Sequence, residues 1–146
     1  MWDVQEIKDA IQHSSPETKV YIGCDSQVTR KKTIKFCTVV ILHIDGKHGG
    51  RMFSNVEVEP SYMAPEKPRL RFMLEVQKVA DLGMELQEVI GKRHFEVHLD
   101  LNTDPQYKSH SAVKEACGYI LGTLGFNAKL KPFAFAASTA ADRLAK

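Results

Sequence analysis

Lys19-Val20-Tyr21-Ile22-Gly23-Cys24-Asp25 decides the fold. Side chains alternate across a strand, so Val20, Ile22 and Cys24 share one face while Tyr21, Gly23 and Asp25 share the other. The stretch reads as a strand ending in an aspartate, followed by a polar turn from Ser26 to Lys32. Next comes Ile34 to Ile44, apolar on both faces and rich in β-branched residues, as expected of a strand covered on both sides. Asp45-Gly46 and Gly49-Gly50 mark a hairpin turn before a third strand, Arg51 to Glu59. These three strands form an antiparallel meander.

Beyond a proline-containing loop, Arg69 to Ile90 carries Phe72, Val76, Val79, Leu86 and Ile90 on one helical stripe, with Gly83 as a weak point costing about 1 kcal/mol relative to alanine. His94 to Leu101 alternates again, with Glu96, His98 and Asp100 on one face and Phe95, Val97, Leu99 and Leu101 on the other. Val113, Ala116, Cys117, Ile120, Leu121 and Leu124 define a further helix, with Ser111 as its N-cap and Gly125 as its stop. Asn127 to Phe135 reads as a fifth strand, which Pro132 confines to a sheet edge because proline donates no ladder hydrogen bond. A short helix is expected from about Thr139. Upstream, Val4, Ile7 and Ile11 fall at helical spacing, so residues 1–15 are read as an N-terminal helical addition that stops before Ser14-Ser15-Pro16.

Helical connections on both sides of strand four make strands four and five parallel to strand one, whereas the meander makes strand two antiparallel. The expectation is an α/β fold with a mixed five-stranded sheet. Strand one lies between strands two and four, and strand five is at the edge. With 146 residues the chain has the size of one domain.

Composition narrows the function. Phe36 to Leu42, the longest nearly unbroken apolar run, falls far short of the roughly 20 residues that span a bilayer, so no membrane partner is expected. Met1 to Glu6 lacks the basic and apolar stretches of a secretion signal, and three widely spaced cysteines suggest neither a disulfide framework nor a zinc site. A reducing cytoplasm fits best. The formal net charge of +2 gives only slight encouragement to a nucleic-acid reading and leaves the oligomeric state open. No phosphate-cradling glycine loop supports ATP or dinucleotide use, and no Gly-x-Ser-x-Gly turn surrounds Ser26.

The acids carry more information. Asp25 and Asp100 each end a predicted strand, where an open sheet with helical crossovers binds its ligand, and on parallel neighbouring strands the two carboxylates meet. Glu75 falls between Leu82 and Leu86 at 100° per residue, inside the apolar arc of its helix, while Glu85 and Glu88 fall on the polar side with Asp81. A carboxylate facing a sheet must be protonated, paired with a group such as arginine, or bound to metal. Asp142 fits two roles, a fourth acid or the last residue of the capping box Thr139-Ala140-Ala141-Asp142. Asp25 and Asp100 also have plain readings as turn residues. Several converging acids are what two magnesium ions need to hydrolyse a phosphodiester.

His98 shares a strand face with Asp100, and His110 follows it; either is a candidate for proton transfer, though such histidines more often only hydrogen-bond. Arg30-Lys31-Lys32 with Lys35, and Lys129 and Lys131 beside Phe133 and Phe135, are candidate phosphate and base contacts, or else a solvated turn and an edge protected by lysines.

The order of elements and these acids resembles the ribonuclease H-like superfamily, and the wording of the motifs is similar to its YkuK-like branch. The motifs are Val20 to Gln27 around Asp25, Met73-Leu74-Glu75, Val97-His98-Leu99-Asp100-Leu101-Asn102, and Phe133 to Arg143 around Asp142. The similarity runs from about Lys19 to Lys146. It implies a sheet order of 3-2-1-4-5 and a metal-dependent nuclease of nucleic acid (RNA, DNA or hybrid), with Asp25, Glu75, Asp100 and Asp142 as catalytic ligands of Mg2+ or Mn2+ and water attacking the phosphorus in line. The alternative is a non-catalytic RNase H-like module that binds nucleic acid or a protein.

Overall fold

The structure is a computed structural model that describes residues 2–44, 49–60, 68–101, 110–131 and 133–136, with backbone alone at 68, 110 and 111. The elements are α1 (Val4–Gln12), β1 (Lys19–Val28), β2 (Ile34–His43), β3 (Gly50–Glu59), α2 (Pro68–Ile90), β4 (His94–Leu99) and α3 (His110–Leu124). The sheet has the order β3-β2-β1-β4, with β1 antiparallel to β2 and parallel to β4.

Among the described residues four strands form, not the expected five. The stretch from Asn127 does run beside β4, but as an isolated parallel bridge between His98 and Lys129. Its ladder consists of Lys129 N–H to Val97 O, Leu99 N–H to Lys129 O and Lys131 N–H to Leu101 O, at 2.8–3.1 Å. Phe133 N–H then turns back to Leu130 O at 2.7 Å. Alternate residues donate to β4, first Lys129 and then Lys131, so the next donor would be Phe133; its N–H is taken by Leu130 O instead, and pairing among the described residues stops there.

β1 is longer than its apolar pattern. Ser26, Gln27 and Val28 still pair with Phe36, Lys35 and Ile34, because ladder hydrogen bonds come from the backbone and tolerate polar side chains. Asp25 therefore lies inside β1, at the level where β4 stops. At the β2–β3 connection Ile44 N–H reaches Gly49 O at 3.1 Å and Gly49 has φ 81°, a conformation that favours glycine; residues 45–48 lie outside the described residues. α3 begins at His110, so Ser111 falls within the helix rather than capping it, and the expected helix from Thr139 lies outside the described residues.

Helices α1, α2 and α3 pack on one face of the sheet. Ile7 and Ile11 of α1, Val76, Val79, Leu86 and Ile90 of α2, and Ala116, Ile120 and Leu124 of α3 form one core with Val20, Ile22, Phe36, Leu42, Val97 and Leu99. Asp3 caps α1 through its carboxylate, which accepts Gln5 N–H at 3.0 Å. On the opposite face Tyr21, Cys37, Val39 and Ala136 make a second, smaller cluster.

At Gly83 the helix α2 lies close to Leu124 of α3 and Phe95 of β4. A methyl group there would stand 2.8 Å from Leu124 Cδ1 and 3.5 Å from the Phe95 ring, so the lost helix propensity has a packing reason. Gly83→Val is expected to lower stability by about 1–3 kcal/mol through overpacking, read as a lower midpoint in urea at unchanged slope.

Candidate active site

Asp25 and Asp100 stand at the same end of the sheet. The parallel register runs from Lys19 opposite His94 to Cys24 opposite Leu99, and the next residue on each chain is the aspartate. Asp25 belongs to the face carrying Tyr21 and Cys37, and it pairs with Cys37 across β2. Ser26, one residue on, turns to the helix face, where α2 supplies Glu75. Asp25 is 6% exposed, Ser26 4% and Glu75 5%.

Glu75 accepts the Ser26 hydroxyl at 2.6 Å. Burial holds its carboxyl well above the usual carboxylate range, and the negative charge of Asp25 pushes it further, as does that of Asp100 more weakly. The Ser26 hydrogen bond and the guanidinium of Arg71, one turn back on α2, act in the other direction, Arg71 least of all. Arginine pairing is thus not what makes this buried acid tolerable. Lys78, one turn forward, is engaged elsewhere, with Glu57 at 3.0 Å, Glu59 at 3.5 Å and the Phe36 ring at 4.8 Å. As the helical phase requires, Glu85 and Glu88 are exposed; they line a cavity of about 400 Å³ between α1 and α2 that none of the acids at the sheet end borders.

Asp100 is ion-paired with Lys131 Nζ at 2.9 Å. The chain beside β4 thus delivers a cation to the strand-four acid. Asp142 lies outside the described residues, as does the side chain of His110. Ser26 and Lys131 are contributions that motif reading did not assign, although alternation past Asp25 already points Ser26 toward the helix.

His98 is fully buried, and both ring nitrogens are used. Nδ1 accepts the Ala136 N–H at 3.1 Å, so the proton sits on Nε2 and is donated to Glu96 Oε1 at 2.9 Å. Burial lowers its pKa, and Tyr21 and Phe135 pack on the ring at centroid distances of 5.3 and 4.6 Å. With no free lone pair it is neither a general base nor a metal ligand; it ties the segment through Ala136 to β4. His94 also hydrogen-bonds Glu96; burial alone would raise the Glu96 carboxyl, but its hydrogen bonds with His94 and His98 hold it below its usual range.

A hard divalent cation takes oxygen ligands, and carboxylates whose charges repel one another in a buried place are such a donor set. In chemistry the acids fit magnesium or manganese. In geometry, no group of three His, Cys, Asp or Glu side chains among the described residues is placed to hold an ion.

The mixed sheet with helices packed on it is consistent with an RNase H-like protein, and the chain belongs to the ribonuclease H-like family, whose model matches residues 3–146. It is similar to the uncharacterized protein YkuK of Bacillus subtilis (strain 168), with 30% identity over 158 aligned positions, covering 99% of this chain and 90% of the relative. No solved structure matches the chain at the same stringency. No helix among the described residues is long and apolar enough to cross a membrane.

Proposed function

We propose that the protein is a metal-dependent nuclease that hydrolyses phosphodiester bonds of nucleic acid, with Asp25, Glu75, Asp100 and Asp142 as its acidic residues. The observation that carries this reading is Glu75, whose ionisation is opposed first by burial, then by Asp25 within β1 and more weakly by Asp100 just beyond β4. With Arg71 acting least of all on Glu75 and Lys131 paired with Asp100, the acids still outnumber the cations beside them, and such a site is suited to a cation. Mg2+ or Mn2+ bound there would supply charge neutralisation on the phosphoryl oxygens and a more acidic water. Asp25, Glu75 and Asp100, which do not by themselves form a three-ligand group among the described residues, would hold the cation together with Asp142; the Ser26 hydroxyl orients Glu75, and Lys131 pairs with Asp100. Family membership supports a nucleic-acid substrate.

The second reading, a non-catalytic module that binds nucleic acid or protein, is favoured by the lack of a three-ligand group among the described residues. The two separate on one experiment. A labelled RNA–DNA hybrid, single strands and a branched DNA are incubated with the protein in magnesium, in manganese and in chelator, alongside thermal melts. The nuclease reading expects cleavage of at least one substrate that chelator stops. It also expects metal stabilisation of about 2.7 kcal/mol at a hundred times Kd. Substrate binding without cleavage would favour the module, and no metal stabilisation would remove the metal site.

A further inference from the structure

The two edges of the sheet are finished differently. Beside β4 the chain through Lys129 and Lys131 occupies the outer edge and hydrogen-bonds to it. On the other side the sheet ends, among the described residues, at β3. β3 pairs with β2 through ten consecutive residues without a bulge, and Gly50 to Glu59 contains neither proline nor lysine. Bulges, prolines and charged side chains, lysine above all, are the usual means by which an edge strand is kept from adding another strand; β3 has no bulge, proline or lysine, and its charges, Arg51, Glu57 and Glu59, are of both signs and so can pair across a two-fold axis. Its side chains add a second argument. Met52, Val56 and Val58, on the face away from the helices, are 50%, 45% and 61% exposed.

We propose that β3 is a dimerisation edge that pairs antiparallel with β3 of a second copy of this chain, about a two-fold axis at Asn55. This inference does not rest on the nuclease reading. In that register Arg51 faces the partner's Glu59, Met52 faces the partner's Val58, and Ser54 faces the partner's Val56. Each contact occurs twice by symmetry. The two Val56 side chains are diagonal neighbours across the axis, so the apolar positions of both copies merge into one patch. An axis at Ser54 instead would set Val58 against Gly50 and Arg51 against Glu57, whose carboxylate is already held by Lys78 at 3.0 Å and Asn55 Nδ2 at 3.1 Å. Among the described residues Glu59 has a 3.5 Å contact with Lys78, while Arg51 has an exposed one with Glu6 at 3.3 Å and lies over the Phe53 ring at 4.7 Å, so neither is held as closely as Glu57 and both can turn to a partner. Such pairing is isologous and consumes the open edge, so assembly closes at two copies and a continuous eight-stranded sheet.

Sedimentation of the full chain tests this. The wild type is expected at twice the monomer mass. Val56→Lys, at an exposed position with the fold checked by circular dichroism, is expected to bring the mass down to that of the monomer. Arg51→Glu and Glu59→Arg should each weaken the dimer roughly tenfold by placing like charges opposite each other, and the double variant should restore it. A monomeric wild type, or a dimer that survives Val56→Lys, overturns the proposal. Single reversals that weaken the dimer without rescue in the double variant overturn the register.

Discussion

Asp25→Asn is expected to reduce metal-dependent cleavage to the level of the protein-free control while leaving the metal-free fold intact and somewhat more stable. The substitution keeps the size of the side chain, so the strand pairing of Asp25 with Cys37 and the packing of β1 on β2 should persist. What changes is charge. Asp25 is the strongest of the electrostatic influences opposing ionisation of Glu75, so its neutralisation relieves repulsion in the metal-free protein. Each pKa unit of such coupling corresponds to about 1.4 kcal/mol, or about 2–4 °C per kcal/mol in the midpoint for a chain of this size. With metal the sign reverses, since a central anionic ligand has been lost. Wild type should therefore gain stability on adding magnesium or manganese and the variant should not. Equal cleavage by both proteins would remove Asp25 from the site, and equal stabilisation by metal would remove it from the metal.

The parts of this arrangement that sequence reading reaches are those governed by local periodicity. Two-residue alternation in Lys19 to Asp25 and His94 to Leu101 groups Asp25 with Tyr21 and Asp100 with His98, and the 100° phase of α2 separates buried Glu75 from exposed Glu85 and Glu88. Long-range pairing is less legible. Ser26 and Gln27 read as a turn because they are polar, yet they continue β1, since β2 offers backbone partners. Asn127 to Phe135 alternates well enough to suggest a strand, but only three ladder hydrogen bonds form before the chain turns at Leu130 and Phe133. Lys131 reads as a surface cation and is the ion-pair partner of Asp100. His98 is the clearest case of a residue whose role depends on distant chain: its face is evident from alternation, but the N–H that occupies its Nδ1 comes from Ala136.

Glu75→Gln is expected to raise metal-free stability in a pH-dependent way, which distinguishes a charge effect from a packing effect. The folded pKa of Glu75 lies above that of the unfolded chain, whose ordinary value is 4.5. Between those two values the folded protein binds more protons than the unfolded one, so stability falls as pH rises. The contribution of Glu75 is fully present below about pH 4.5 and is lost as pH rises through the raised folded pKa. Glutamine cannot ionise, yet its amide oxygen can still accept the Ser26 hydroxyl, so the variant should lack this loss. The difference between the two proteins is the quantity to follow, because His98 slopes the other way. Its pKa is lowered by burial, so its contribution is present above about pH 6.5 and lost as pH falls through the folded value. Denaturant melts at several pH values in chelator should show the variant gaining on wild type as pH rises, by about 1.4 kcal/mol for each unit by which the folded pKa is raised. Saturating magnesium should then narrow or reverse the gap, because the cation stabilises the ionised glutamate and has less to bind in the amide. A difference that stays constant with pH would show that Glu75 is neutralised by a neighbouring cation rather than waiting for one, and would move the site toward a structural role.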